Sequence, residues 1–345
     1  MPATIKDIAE KSGVSIGTVD RVIHSRGRAS QTTVSRVRSV IRKLGYTTNV
    51  YARSLSVKKH FLIAVIMPQT DQDSGYWKLA ADGIIPAQKE FLPYGMTIKL
   101  FTYNRYRRRS FQNTFKQAVK EEAAGILGAF MFPDDTRIFC TRNPEIRIAL
   151  FDSSIDGIIT AGFAGQNSLQ SGILAGKLMR LIAPQGTVIS ACTAEKTGHL
   201  KQRLAGFSMA LGRKTKDLII PQTGSKKEWE KIITEIDKNY GKISGIFTAN
   251  ADAHFFACSI LKKKNKNLRI IGYDLTEKNR HALAGNTLDF IIEQRPALQV
   301  REGIKLLYRA LVCNEQIADE KIIMPLEIIT GENLDFFQNP AGINP

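Results

Sequence analysis

The sequence predicts an α/β protein in two parts, a small all-α headpiece followed by a larger two-lobed body of doubly wound parallel sheets. Three observations predict it. Residues 1–48 carry apolar side chains at helical spacing, interrupted by a turn glycine. From residue 61 onward, short apolar strands alternate with helical stretches. The length of 345 residues exceeds one small domain and suits a headpiece plus two lobes.

In the headpiece, Thr4 can cap a first short helix with Asp7 three residues later, Gly13 makes a turn, and Ser15 caps a second helix. Ile5, Ile8, Ala9, Val14, Val19, Val22 and Ile23 fall at spacings that give both helices an inner face. Two short helices joined by such a turn make a helix-turn-helix, whose second helix suits a DNA major groove. A third helix is expected from Ser30, with Val34, Val37, Ile41 and Leu44 on one face and Gly45 past its end. Residues 1–60 hold twelve Lys and Arg against three acids, which is nine of the chain's net charge of +17. Charge concentrated on such a motif is the footprint of phosphate binding.

Residues 49–60 read as a linker with one short helix, Asn49 as its N-cap and Ala52 and Leu55 on one face. That helix is too short to be stable alone in water. In the body, strands are expected at 61–67, 96–101, 125–131, 147–151, 158–163, 186–191, 243–248, 268–272 and 288–292. Helices are expected around 76–92, 110–122, 167–182, 197–212, 225–239, 251–264, 276–284 and 296–313.

Open α/β sheets bind ligands beyond the C-terminal ends of their strands. Tyr76 and Trp77 stand after the first strand, and Asp152, Asn250, Asp252, Asp274 and Gln294 stand after later ones. Arg203 lies in His199-x-x-x-Arg203-x-x-Gly206-Phe207. An aromatic wall suits the C–H face of a sugar ring, while carboxylates, amides and a guanidinium suit its hydroxyls. Plainer roles stand beside these: Asp152 or Asp274 capping the next helix, and Trp77 as partial core.

Other features narrow the class. The start has no basic and apolar leader pattern, and no stretch approaches the ~18 apolar residues of a membrane span, so a cytoplasmic protein is expected. Cys140, Cys192, Cys258 and Cys313 are far apart and form no C-x-x-C pair, and the five histidines are scattered, so neither a metal nor a cofactor is expected. Gly172-Ile-Leu-Ala-Gly176-Lys177 resembles a phosphate loop, but its glycines are one residue too close and Leu178 replaces the Ser/Thr, so it reads as helix. No G-x-S-x-G or Cys/His pair at motif spacing points to an enzyme. Arg105, Arg107, Arg108 and Arg109 around Tyr106 form a second basic cluster, expected as a solvated loop.

Over residues 4–55 the chain resembles the lactose-repressor (LacI/GalR) family of bacterial transcription regulators. The shared segments are T-x-x-D-I-A at 4–9, G-V-S-x-x-T-V-x-R at 13–21 and L-G-Y-x-x-N at 44–49. The resemblance implies a homodimeric repressor that binds a two-fold double-stranded DNA operator and responds to a small-molecule effector. It implies a headpiece at 1–48, a hinge at 49–60 and a body of the type I periplasmic-binding-protein fold at 61–345. The N-lobe would take about 61–160 and 293–323, the C-lobe about 161–292 and 324–340. Thr4, Ser15, Ile16, Gly17, Thr18, Arg21 and Asn49 would contact DNA, and Leu55 would wedge into the minor groove. Asp152, Arg203, Asn250, Asp274 and Gln294 would line the effector cleft, where the aromatic pair Tyr76 and Trp77 is also expected.

The chain departs from that pattern in places. Gly17 offers no side chain to a base edge, Ile16 offers apolar contact only, and Asp20 puts a negative charge near phosphates. Arg301 and Glu293-Gln294-Arg295-Pro296 predict a charged cleft rim. A sugar is the expected effector; a sugar acid, a phosphate or a purine stays open, and a transport solute-binding protein, which shares the body's fold, is the alternative class.

Overall fold

The computed structural model describes residues 5–23, 30–44, 60–193, 198–220, 225–239 and 243–337. Thr4, Asn49, Leu55 and the expected hinge helix lie outside the described residues. Two compact units divide the chain, Met1–Lys59 and His60–Pro345.

Among the described residues the first unit holds three helices, Ile5–Ser12, Ile16–Ile23 and Gln31–Leu44. Gly13 takes a φ of +64° in the turn between the first two, a region that favours glycine. Ser15 caps the second helix by accepting from Thr18 N at 3.2 Å. Ser30 does the same for the third, accepting from Thr33 N at 3.2 Å. Ile8, Ala9, Val19, Val22 and Val37 are buried together, and they are the apolar positions whose spacing predicted the helices.

Among the described residues the second unit holds twelve strands in two sheets. The first sheet is built from β1 (Phe61–Pro68), β2 (Met96–Tyr103), β3 (Gly125–Gly128), β4 (Arg147–Phe151), β5 (Gly162–Gly165) and β11 (Glu320–Ile323). The second is built from β6 (Thr187–Thr193), β7 (Lys216–Ile220), β8 (Ile243–Thr248), β9 (Arg269–Tyr273), β10 (Phe290–Glu293) and β12 (Glu327–Ile329). Their orders are β11-β5-β4-β3-β1-β2 and β12-β10-β9-β8-β6-β7. All pairs are parallel except β10 with β12. The chain crosses between the sheets three times, after β5, after β10 and after β11. These crossings hinge two lobes whose strand ends face one cleft.

Several elements differ from expectation. β7, β11 and β12 were not foreseen because each is a short edge strand carrying charged residues, without the apolar run of a central strand. β5 begins four residues later than expected and belongs to the first sheet, although 161 onward was assigned to the C-lobe; Ile158 and Ile159 are loop, and Ile159 is 83% exposed. The helix expected over 76–92 is two helices, Tyr76–Ala81 and Ile84–Phe91. A Cβ on Gly83 between them would lie 2.2 Å from the Ala297 carbonyl oxygen, so the break seats the pair against the 296–311 helix. The stretch over 251–264 likewise splits, into Ala253–Ala257 and Ile260–Lys264. The helix Pro133–Arg142 was missed, although Pro133 and the two acids after it are an N-terminal signal.

The phosphate-loop look-alike is helix, inside Ser168–Ile182. Its glycines serve close packing against the helix Gly198–Leu211. A Cβ on Gly172 would lie 2.1 Å from the Arg203 carbonyl oxygen, and one on Gly206 would lie 2.2 Å from that of Leu169. Gly172→Val is therefore expected to cost roughly 1–3 kcal/mol or more by overpacking, read as a lower urea midpoint at unchanged slope. A wild-type midpoint would show that the two helices can separate without penalty.

Candidate functional site

On the headpiece, Ser15, Ile16, Gly17 and Arg21 are exposed and Thr18 is half-buried, while Val19 and Val22 of the same helix face inward. Ile16 is 52% exposed, large for an apolar side chain. Arg21 lies along its own helix, donating from Nε to the Gly17 carbonyl at 3.0 Å and from Nη2 to Thr18 Oγ1 at 3.5 Å. Ser15 Oγ and Thr18 Oγ1 are 2.9 Å apart. Arg36, Arg38, Arg42 and Lys43 of the third helix are also exposed. The arrangement presents one guanidinium, two hydroxyls and one apolar side chain from a short helix in a positively charged unit.

In the body, a cavity lies between the lobes at the C-terminal ends of both sheets, and all seven side chains expected there line it. On the C-lobe side the centre is Arg203, only 2% exposed. It donates from Nη1 to the Ala249 carbonyl at 2.9 Å and from Nη2 to Gln294 Oε1 at 2.7 Å. Its guanidinium carbon sits 4.1 Å from the centre of the Tyr273 ring. Gln294 passes the network on, donating from Nε2 to Asp274 Oδ1 at 2.7 Å. Burial, and then the charge of Glu293, push the Asp274 carboxyl well above the usual carboxylate range.

Asp152 and Asp274 each follow a strand and each take a φ of +65°, a strained conformation that clusters at ligand sites. Neither caps a helix. Thr276 caps the helix after Asp274, with Asn279 N donating to its Oγ1 at 3.4 Å. Asp152 accepts from Tyr76 Oη at 2.7 Å, and its backbone N donates to Gln299 Oε1 at 3.0 Å. Burial, and then Asp152, raise the Tyr76 hydroxyl well above its ordinary value, so it stays a donor. Trp77 is both core and wall. It is 2% exposed, packs edge-on to Tyr76 at 4.8 Å between ring centres, and lines the cleft.

Several lining residues were missed. Asp73 accepts from Trp77 Nε1 at 2.5 Å and is ion-paired with Arg105. Arg105 is thus no part of a solvated loop: its side chain is 12% exposed and faces the cleft, while Arg107 and Arg109 are exposed and Arg108 pairs with Asp135. Its position after β2 was the available signal. His199 also lines the cleft, and its i, i+4 spacing to Arg203 put both on one helix face. Burial pushes the His199 imidazole down to about 4. The expected charged rim is absent from the lining. Arg301 pairs with Glu90 at 2.6 Å and Arg295 with Glu327, so both are spent on structural ion pairs.

Among the described residues, a hydrogen bond from Ser74 Oγ to Asp252 Oδ1 joins the lobes beside the cleft. Burial pushes the Asp252 carboxyl up to about 6. Asn250 Nδ2 donates to the other Asp252 oxygen at 2.7 Å. Two buried atoms of the lining, Arg203 Nε and Asn250 Oδ1, have no partner among the described residues. An unpaired buried donor and acceptor in one cleft are a ready site for a ligand that supplies both.

A family profile described as a periplasmic binding protein domain matches residues 63–316. A second, described as bacterial regulatory proteins, lacI family, matches residues 4–49. The chain is 25% identical over 342 residues to a ribose operon repressor of Bacillus subtilis (strain 168), covering 95% of this chain and 97% of that one. Among solved structures, a protein described as a LacI transcriptional regulator from Bacteroides fragilis superposes with a TM-score of 0.73 at 23% identity, over 81% of this chain and all of that one. The lac repressor dimer bound to operator and the anti-inducer ONPF superposes with a TM-score of 0.63 at 17% identity, over 96% of this chain and 98% of that one.

Proposed function

The chain belongs to the lacI family of bacterial regulatory proteins, and we propose that it is a repressor that binds a two-fold operator as a dimer and is released or held by a carbohydrate in the interlobe cleft. As a member of that family it is a DNA-binding regulator. Among the described residues no helix is long and apolar enough to cross a membrane.

The observation that carries the effector reading is the unpaired couple of Arg203 Nε and Asn250 Oδ1 beside the carboxylates of Asp152 and Asp274. A hydroxyl both donates and accepts, so a polyhydroxylated ligand satisfies all of them at once. The name of the Bacillus subtilis relative, a ribose operon repressor, supports a sugar. Tyr76 and Trp77 supply the aromatic edge of the site. On the headpiece, Ser15, Ile16, Thr18 and Arg21 meet base edges and phosphates, with Gly17 allowing close backbone approach. Thr4 and Asn49 also contact DNA, and Leu55 takes the minor-groove wedge.

The test is operator binding by the full chain on a duplex selected from a random pool, followed with and without added sugars. Two-site linkage predicts a coupling of about 1–3 kcal/mol that acts in both directions. Operator affinity indifferent to every sugar tried would remove the carbohydrate effector. A separate expectation concerns the hinge: Leu55→Ala should lose operator affinity and DNA bending together, because the wedge's unstacking makes the bend. Normal bending in the mutant complex would leave Leu55 as an ordinary linker residue.

A further inference from the structure

Charge balance and volume narrow the ligand beyond the carbohydrate reading, on which this inference rests. Three acids line the cleft, Asp73, Asp152 and Asp274, the last pushed toward its neutral form by burial, against two guanidiniums, Arg105 and Arg203. Both guanidiniums are largely committed, with only Arg203 Nε left unpartnered among the described residues. Arg105 is ion-paired with Asp73, and Arg203 bonds Gln294 and Ala249 over the Tyr273 ring. The remaining basic ring, His199, is held neutral at physiological pH by burial. A phosphate or carboxylate entering here would meet no net positive charge and would have to compete with Asp73 for Arg105. Burying an uncompensated anion is costly, whereas a hydroxyl can donate to a carboxylate and accept from a guanidinium.

Volume points the same way. The cavity offers about 50 Å³. At ~10–15 Å³ per water that is room for on the order of four waters, too little for a disaccharide.

The loop after β1 supplies the remaining observation. Asp73, Ser74 and Gly75 take φ values of +52°, +55° and +86°, a left-handed run that L residues adopt only at a cost. That run puts Asp73 on Trp77 and Arg105 and puts Ser74 on Asp252 of the opposite lobe. The turn that presents Asp73 and Arg105 to the cleft is thus the turn that ties the lobes together. We infer that Asp73 and Arg105 form the specificity-determining arm of the cleft, and that its ligand is one uncharged sugar ring.

Thermal melts of the full chain test this, with D-ribose, D-arabinose, D-glucose and D-galactose set against D-ribose 5-phosphate, D-gluconate, sucrose and adenine. At least one free monosaccharide should raise the melting temperature, and the phosphate, the acid and the disaccharide should not. Arg105→Gln and Asp73→Asn should each weaken binding of that sugar by ~10-fold or more and flatten the preference between it and its epimer. The melt without sugar reports whether each variant is folded. Where one is not, Arg105→Lys, which keeps the charge and loses the fork, should show the same flattened preference. Stronger stabilisation by the phosphate or the acid overturns the inference and leaves the carbohydrate reading standing. Wild-type affinity and preference in the folded variants remove the arm. A response to adenine alone, or to none of these compounds, removes the carbohydrate reading and this inference with it.

Discussion

Arg203→Ala is expected to abolish the response to effector while operator binding persists. The side chain is buried and makes two hydrogen bonds, one to the Ala249 carbonyl and one to Gln294, which in turn orients Asp274. Truncation leaves those acceptors without their donor and lets Gln294 and Asp274 lose their mutual geometry. Each unsatisfied buried group costs about 1–3 kcal/mol, so effector affinity should fall by roughly 10- to 100-fold or more. Asp274→Ala should act alike from the other end of the same chain of bonds. Their combined effect should be less than additive, because both disrupt one network. Operator titrations with and without the sugar that stabilises the wild type give the measurement. Both mutants responding like wild type would place the effector site elsewhere.

The second large effect is on DNA. Removing residues 1–59 should abolish specific operator binding and leave sugar binding in place, because the headpiece and the body are separate compact units. In the intact protein, affinity should fall steeply with salt. A protein making about 6–10 phosphate contacts loses ~10³–10⁵ in affinity between about 50 and 200 mM salt, through release of counterions. Arg21→Ala should weaken specific binding by ~1–3 kcal/mol if the side chain leaves Gly17 and Thr18 to reach a base. A flat salt response, or full affinity in the truncated chain, would contradict a headpiece that works through its basic surface.

Local signals carried much of this molecule. The helix-turn-helix is legible because Ser15 and Ser30 are caps, Gly13 is a left-handed turn and the apolar spacing has one inner face; none of these depends on distant residues. Central strands such as β1, β4 and β8 are legible because burial on both faces demands a continuous apolar run. Asp152 and Asp274 could be singled out because the ends of parallel strands are where α/β sheets leave space. The tertiary structure decided the rest. Edge strands β7, β11 and β12 exist because a neighbour offers its hydrogen bonds, and their own residues are too polar to announce them. Arg105 turned from a solvated-looking charge into a cleft residue because the loop after β1, 32 residues earlier, brings Asp73 to meet it. Arg301, by contrast, left the expected rim because Glu90 pairs with it from 211 residues away. A charge run shows that charges are present, and only the fold shows which carboxylate neutralises each one and which of them a ligand can reach.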